Sequence, residues 1–317
     1  MKKIDINFEI FKGYKKIAIL LHTRPDGDTI GSGLALYHAI KNTYGVEADV
    51  LCDMPMPDKY FILNGVEKVT NKAGSGYDLI IFSDCGDIKR IGTLEISLKG
   101  AHVISIDHHR TCESFGHENY IYPDAAATCV VMYEMFKQNN IAITKEMAEL
   151  LYAGTMTDTG GFGHSNTDAN VLKMAGDLAE HGADPHTITK AIFKQKSHNQ
   201  LLFLGDAFSR IKLHHENQIA TLVISQEMLE KRGLDSSSNE GLIDYSMSIT
   251  GVKIAINFLE AKKNVYKISI RSIIGISASE IASFYGGGGH TQAAGLSMNG
   301  SIEEIMDKLL YRASLYL

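Results

Sequence analysis

Residues 15–41 read KKIAILLHTRPDGDTIGSGLALYHAIK, and the fold turns on how they divide. The run Ile17–Leu21 joins β-branched residues and leucines without a polar break, which predicts a buried strand. The polar, glycine-containing segment 23–29 follows, and apolar residues at helical spacing over 30–41 predict a helix. The rhythm recurs in a strand over 46–52, a short helix near 56–63, and strands over 78–84 and 101–107. Short, almost wholly apolar strands of this kind predict an α/β fold, a mainly parallel sheet with helices on both faces.

Helices over 127–139 and 145–157 then lead into TMTDTGGFGHSNTD at 155–168, a loop rich in Gly, Thr and Asp. From 168 to 212 the pattern is helical, with Pro185 placed to start a helix. Strands near 218–224, 251–259 and 264–271 alternate with helices near 277–285 and 301–316, which predicts a smaller mixed α/β domain. The expected division is a catalytic domain over 1–185, a helical linker over 186–212 and a substrate-binding domain over 213–317. A length of 317 residues fits two domains at roughly 100–200 residues each.

Composition removes several classes of function. With 44% hydrophobic and 21% charged residues the chain can build a core, so disorder is excluded. No apolar run approaches the roughly 20 residues a membrane helix needs, and Met1-Lys2-Lys3-Ile4-Asp5 carries no apolar leader. A cytoplasmic location without membrane contact is therefore expected. Cys52, Cys85, Cys112 and Cys129 show no C-x-x-C spacing, which argues against a disulfide framework or thiolate zinc site. A net charge of −6 lacks the basic stripe that long duplex nucleic acid demands, so any nucleic-acid partner should be short.

The chemistry concentrates at strand ends. His22, Asp26 and Asp28 follow the first strand, Asp84 ends the strand over 78–84, Asp107-His108-His109 ends the next, and Asp158 closes a helix beside Gly160 and Gly161. Any one of these could be a turn or cap residue, but four segments deliver carboxylate or imidazole to one expected sheet edge, where open α/β sheets bind ligands. Oxygen and imidazole ligands without thiolate suit Mn²⁺, Mg²⁺ or Fe²⁺. Six or seven such groups exceed the needs of one ion and fit two, roughly 3.5–4 Å apart, which is the apparatus of phosphoester hydrolysis by a two-metal-activated hydroxide.

The motifs HTRPDGDTIGS at 22–32, DHH at 107–109 and GGGGHTQAAG at 286–295 resemble the DHH phosphoesterase family with a C-terminal DHHA1 domain, over essentially the whole chain. The closing motif and the length are most similar to the bacterial oligoribonuclease and pAp-phosphatase branch, which includes phosphodiesterases acting on pApA. The resemblance implies that His22, Asp26 and Asp84 hold one Mn²⁺ and that Asp28, Asp84, His108 and Asp158 hold the other, with Asp84 shared. It implies catalytic roles for Asp84, His108, His109 and Asp158, and an orienting role for Asp107. His109 is open between facing the substrate phosphate or leaving oxygen and supporting a neighbour by hydrogen bonding. The family often has Asn where Arg24 stands here, which leaves the contribution of Arg24 open.

In the second domain, Gly286–Gly289 and His290 follow a helix, and four bare backbone units can close on an anion, whereas a turn or helix cap would use one or two. The resemblance implies substrate contacts from Gly287, Gly288, Gly289 and His290, with Arg271 as a further phosphate anchor. His214 and His215 read as exposed residues near a helix end. The expected activity is hydrolysis of short single-stranded RNA (di- to pentanucleotides), pApA or the 3′-phosphate of pAp to mononucleotides, in a cleft between domains. The sequence is compatible with a homodimer. An inorganic pyrophosphatase or exopolyphosphatase and a silent nucleotide sensor are the alternatives. The first lacks its basic C-terminal cluster, and the second predicts a missing ligand where none is missing. Ser32 and Ser83 lack a base and orienter for nucleophilic catalysis, and GDTIGSG at 27–33 lacks the P-loop lysine.

Overall fold

A computed structural model describes residues 4–239 and 241–317, which divide into two contact units, 4–195 and 196–317. The division falls within the segment expected as a helical linker.

The first unit is built on strands β1 (Ile17–Leu20), β2 (Ala48–Leu51), β3 (Leu79–Ser83), β4 (His102–Asp107) and β5 (Glu118–Ile121), all parallel, in the spatial order β2-β1-β3-β4-β5. Every residue of β1 and β3 is buried, because a parallel sheet is covered on both faces and its central strands need apolar side chains pointing both ways. Helix α1 (Gly27–Tyr44) returns the chain from β1 to β2, starting at the Asp26 cap and stopping at Gly45, whose φ of 68° is left-handed. Ile17, Ile19, Leu79, Ile81, Ile104 and Ile106 pack on one face with α1, α2 (Thr128–Gln138), α3 (Lys145–Asp158) and α4 (Ala169–Glu180). Ala18, Leu20, Ile80 and Phe82 face the other side, where a 3₁₀ turn over Ile88–Ile91 and apolar loop residues such as Leu94 and Phe115 close the layer. A short α5 (Pro185–Thr189) runs into one π-helical turn over Lys190–Lys194.

The second unit opens with α6 (His198–Phe208), which carries a reciprocal Ser197–Gln200 capping box. Strands β6 (Lys212–His214) and β7 (Ile219–Ile224) follow, then α7 (Gln226–Glu230), α8 (Leu242–Met247), β8 (Ile254–Lys262), β9 (Val265–Ser272), α9 (Ala278–Ser283), β10 (Gly288–His290), β11 (Ala293–Asn299) and α10 (Ile302–Ser314). The sheet runs β10-β11-β9-β8-β7-β6, antiparallel except for β7 with β8. Ile256, Phe258, Ile268 and Ile270 meet Ile281, Ile305 and Leu309 on one face, while Leu222 and Leu259 meet Phe203, Met228, Leu229 and Leu242 on the other.

Four strands, β5, β6, β10 and β11, escape the sequence reading. β5 (ENYI) is half-buried at a sheet edge, β6 is three residues long, and β10 (GGH) has no β-propensity at all, so its ladder is imposed by β11. His214 belongs to β6 rather than a helix end and is half-buried, its ring 2.9 Å from Thr221 Oγ1. The expected helix near 56–63 is only a 3₁₀ turn over Asp58–Tyr60.

Candidate metal centre

Each ligand-type residue reaches the carboxyl edge of the first sheet by a local cause. His22 lies two residues beyond β1 and is 2% exposed, and Asp26 sits between it and α1 as the helix cap. One Asp26 oxygen accepts from the Asp28 and Thr29 amides at 3.1 Å, and the other faces His22 Nε2 at 3.5 Å. Asp84 leaves β3 with a φ of 60°, a left-handed conformation unusual for a residue with a Cβ, and is 1% exposed. Its Oδ2 lies 3.5 Å from His22 Nε2, and its Oδ1 lies 3.7 Å from His108 Nε2 and 3.4 Å from His109 Nδ1. Asp28, fully buried in the first turn of α1, is 3.7 Å from His108 Nε2, and Asp158 at the end of α3 is 3.2 Å from the same atom.

Three overlapping groups of potential ligands result: His22, Asp26 and Asp84; Asp28, His108 and Asp158; and Asp84, His108 and His109. Oxygen or nitrogen ligands held about 2.1 Å from an ion, at right to tetrahedral angles, lie roughly 3.0–3.4 Å from one another, close to the separations here. The imidazoles fit a cation more specifically. His22 Nδ1 is 2.8 Å from the Thr23 carbonyl and His108 Nδ1 is 3.2 Å from the Ala125 carbonyl, which makes Nδ1 the protonated nitrogen of the neutral rings. The opposite nitrogens, His22 Nε2 and His108 Nε2, are buried without a hydrogen-bond partner among the described residues and are aimed at carboxylates.

The electrostatics have the same origin. Burial raises Asp28 well above the usual carboxylate range, and the negative charges of Asp84 and Asp158 add to it. Burial also raises Asp158, which Asp84 reinforces. Burial opposes ionisation of Asp84 too, yet His109, His22 and His108 outweigh it and hold that carboxyl well below the ordinary value. Burial alone would lower His22 and His108, but the carboxylates around them raise both to about 10. Crowded buried carboxylates require positive charge, which protonated imidazoles or a bound cation can supply, and the donor set of carboxylate oxygens and imidazole nitrogens fits hard divalent cations.

Asp107 Oδ1 accepts from both the backbone N–H and Nδ1–H of His109, each at 2.7 Å. This bond, with Asp84 beside it, raises His109 to about 9. Ser32 and Ser83 are buried and share a hydrogen bond of 2.8 Å, so neither is presented as a nucleophile. Arg24 is exposed with a φ of 55°.

In the second unit, β-ladder register places Ala255, Arg271, Ala293 and His290 in one row across β8, β9, β11 and β10, hence on one face. The next row is Asn257, Ser269, Gly295 and Gly288. Arg271 and His290 are thus two strands apart, roughly 10 Å, and Arg271 Nε is 3.8 Å from Asp244 Oδ1. The glycine run divides by cause. Gly286 has a φ of 77°, and a Cβ on Gly287 or Gly289 would strike the backbone of β11. Gly288 meets neither condition, since a Cβ there would enter open space. The expected run of four bare backbone units is thus in part a strand, β10, in which a Cβ on residue 288 would meet open space.

Two residues the sequence reading did not single out touch this machinery. Thr128 Oγ1 donates to Asp84 Oδ1 at 2.9 Å, and Asn166 Nδ2 donates to the carbonyls of Ala126 and Asp158, both at 3.1 Å. A threonine opening a helix and an asparagine in a polar loop carry no local signal that separates them from ordinary turn chemistry.

A family model described as the DHH family, N-terminal domain, matches residues 16–155, and one described as the DHHA1 domain matches residues 216–315. A bifunctional oligoribonuclease and PAP phosphatase of Thermus thermophilus is 31% identical over 98% of this chain and 93% of its own. A protein of the same description from Bacillus subtilis is 28% identical over 90% of each. Among solved structures, an exopolyphosphatase-related protein from Bacteroides fragilis superposes with a TM-score of 0.87 at 26% identity, over 96% of this chain and 94% of that one.

Proposed function

The chain belongs to the DHH family of phosphoesterases and carries a C-terminal DHHA1 domain, and from that membership we propose that it hydrolyses short nucleotides to mononucleotides with two Mn²⁺ ions. The proposed substrates are RNA di- to pentanucleotides, pApA and the 3′-phosphate of pAp, and relatives that align over 90% or more of the chain are named as oligoribonuclease and PAP phosphatase. The observation that carries the reading is the pair of buried Nε2 atoms on His22 and His108, without a hydrogen-bond partner among the described residues, each facing carboxylates while its Nδ1 engages a backbone carbonyl. A cytoplasmic setting suits such substrates, and no helix among the described residues is long and apolar enough to cross a membrane.

In the proposed assignment His22, Asp26 and Asp84 hold one ion, and Asp28, Asp84, His108 and Asp158 hold the other. When bound, divalent cations supply Lewis-acid stabilisation of the phosphoryl oxygens and lower the pKa of an attacking water. The chain's own contribution is positional and protonic. Hydrolysis adds water to phosphorus and breaks the bond to the ester oxygen, which needs a proton as it leaves. His109, whose Nδ1 is held by Asp107, is the group assigned to donate it or to steady the phosphate. Arg271, His290 and the outward backbone of Gly288 are assigned to the remote phosphate or nucleotide, with Gly287 and Gly289 setting the strand that carries them.

The test is a parallel assay of the purified chain on pAp, pApA, RNA dinucleotide and pyrophosphate with Mn²⁺ or Mg²⁺. Cleavage of the nucleotides and loss of it on chelation are expected. Turnover of pyrophosphate alone would overturn the substrate class.

A further inference from the structure

The short tract Ala125–Cys129, which enters α2, bonds to one group of proposed ligands from end to end. The Ala125 carbonyl lies 3.2 Å from His108 Nδ1. The Ala126 carbonyl accepts from Asn166 Nδ2, which also reaches the Asp158 carbonyl. The amides of Thr128 and Cys129 donate to the two oxygens of Asp28 at 2.7 and 2.8 Å. Ala127, the residue at the N-cap of α2, makes no side-chain cap, so a carboxylate one hundred residues away takes that place. The Thr128 hydroxyl turns away from its own helix and donates to Asp84.

That last bond has a particular consequence. Asp84 belongs both to the group with His22 and Asp26 and to the group with His108 and His109, one oxygen facing each side. A carboxylate shared in this way must keep its plane fixed, since rotation about the Cβ–Cγ bond would withdraw both oxygens together. The Thr128 hydroxyl bonds Oδ1 alone and leaves Oδ2 directed at His22. Thr128 is fully buried, so water cannot replace a lost hydroxyl without opening the packing. The geometry points to Thr128 as a positioning residue that fixes the shared carboxylate of Asp84 and, through its amide, Asp28. This inference rests on the two-cation reading above.

The experiment strips the full chain with chelator and titrates it with Mn²⁺, following the free ion by electron paramagnetic resonance. Thr128→Val keeps the shape and removes the hydroxyl, Thr128→Ala removes both branches, and Thr128→Ser keeps the donor. Val and Ala should lose affinity at one or both sites by about tenfold to a hundredfold, the range for partners that orient metal ligands, while Ser stays within about threefold of wild type. At saturating Mn²⁺, kcat for pAp should fall in Val and Ala with KM little changed. If Val fails to fold, judged by circular dichroism in chelator, the comparison of Ala with Ser decides. Wild-type titration in Val and Ala would overturn the proposal, as would a Ser variant as weak as they are, since the side chain would then act by packing. A wild-type chain that takes up no cation would overturn the underlying reading and this inference with it.

Discussion

Gly288 separates packing from binding within one tetrapeptide. Gly287→Ala should destabilise the chain by about 1–3 kcal/mol, because its Cβ must displace the β11 backbone, and thermal denaturation checks it. Gly288→Ala should leave the melting temperature within about 2 °C and raise KM on pAp roughly tenfold, since the added methyl occupies only the outward space assigned to substrate. An unchanged KM would remove residue 288 from the substrate face. At the other end of the proposed chemistry, Asp84→Ala and His108→Ala should each lower kcat by on the order of a thousandfold or more, whereas His290→Ala should act mainly on KM. The residue types themselves were legible: Asp and His at strand ends read directly as ligand candidates. Thr128 was not, because its role depends on a bond to Asp84, 44 residues earlier, and nothing local marks a hydroxyl that ignores its own helix.

At the scale of elements, the start of α1 answers two demands at once. Asp26 caps the helix with one oxygen and faces His22 with the other, so the cap reading and the ligand reading of that residue are both physically available. They come apart in substitution. Asn caps about as well as Asp, so Asp26→Asn should melt near wild type but lose at least tenfold in Mn²⁺ affinity, whereas Asp26→Ala should lose that affinity and about 0.5–2 kcal/mol of stability. Calorimetry and Mn²⁺ titration on both variants distinguish the outcomes, and undiminished uptake in Asp26→Asn would take residue 26 out of the ligand set. β1, β3, β4, α1 and α3 were readable from apolar runs and periodicity. β10 was not, because two of its three residues are glycine and its extended form comes from pairing with β11.

At the scale of the molecule, two units with separate cores predict separable responses. Mn²⁺ at a hundredfold its Kd should stabilise the metal-binding unit by about 2.7 kcal/mol per site, raising its unfolding transition. Phe258→Ala, in the core of the other unit, should cost about 3–5 kcal/mol there and leave the Mn²⁺ stoichiometry unchanged. Scanning calorimetry with and without Mn²⁺ reads both effects, and a loss of bound Mn²⁺ in Phe258→Ala would show that the units are coupled. The amino-acid order by itself determined which central segments become buried strands, that three of them and one helix lead into carboxylate or imidazole, and hence the donor chemistry, because these follow from local polarity and spacing. Only the tertiary structure decided that β1 lies between β2 and β3, so that His22 and Asp26 leave one strand beside Asp84 leaving the next. It alone also decided that Asp28 would cap a helix one hundred residues away. Local propensities are the same for any strand order, and the choice among orders is made by packing contacts between residues far apart in the chain.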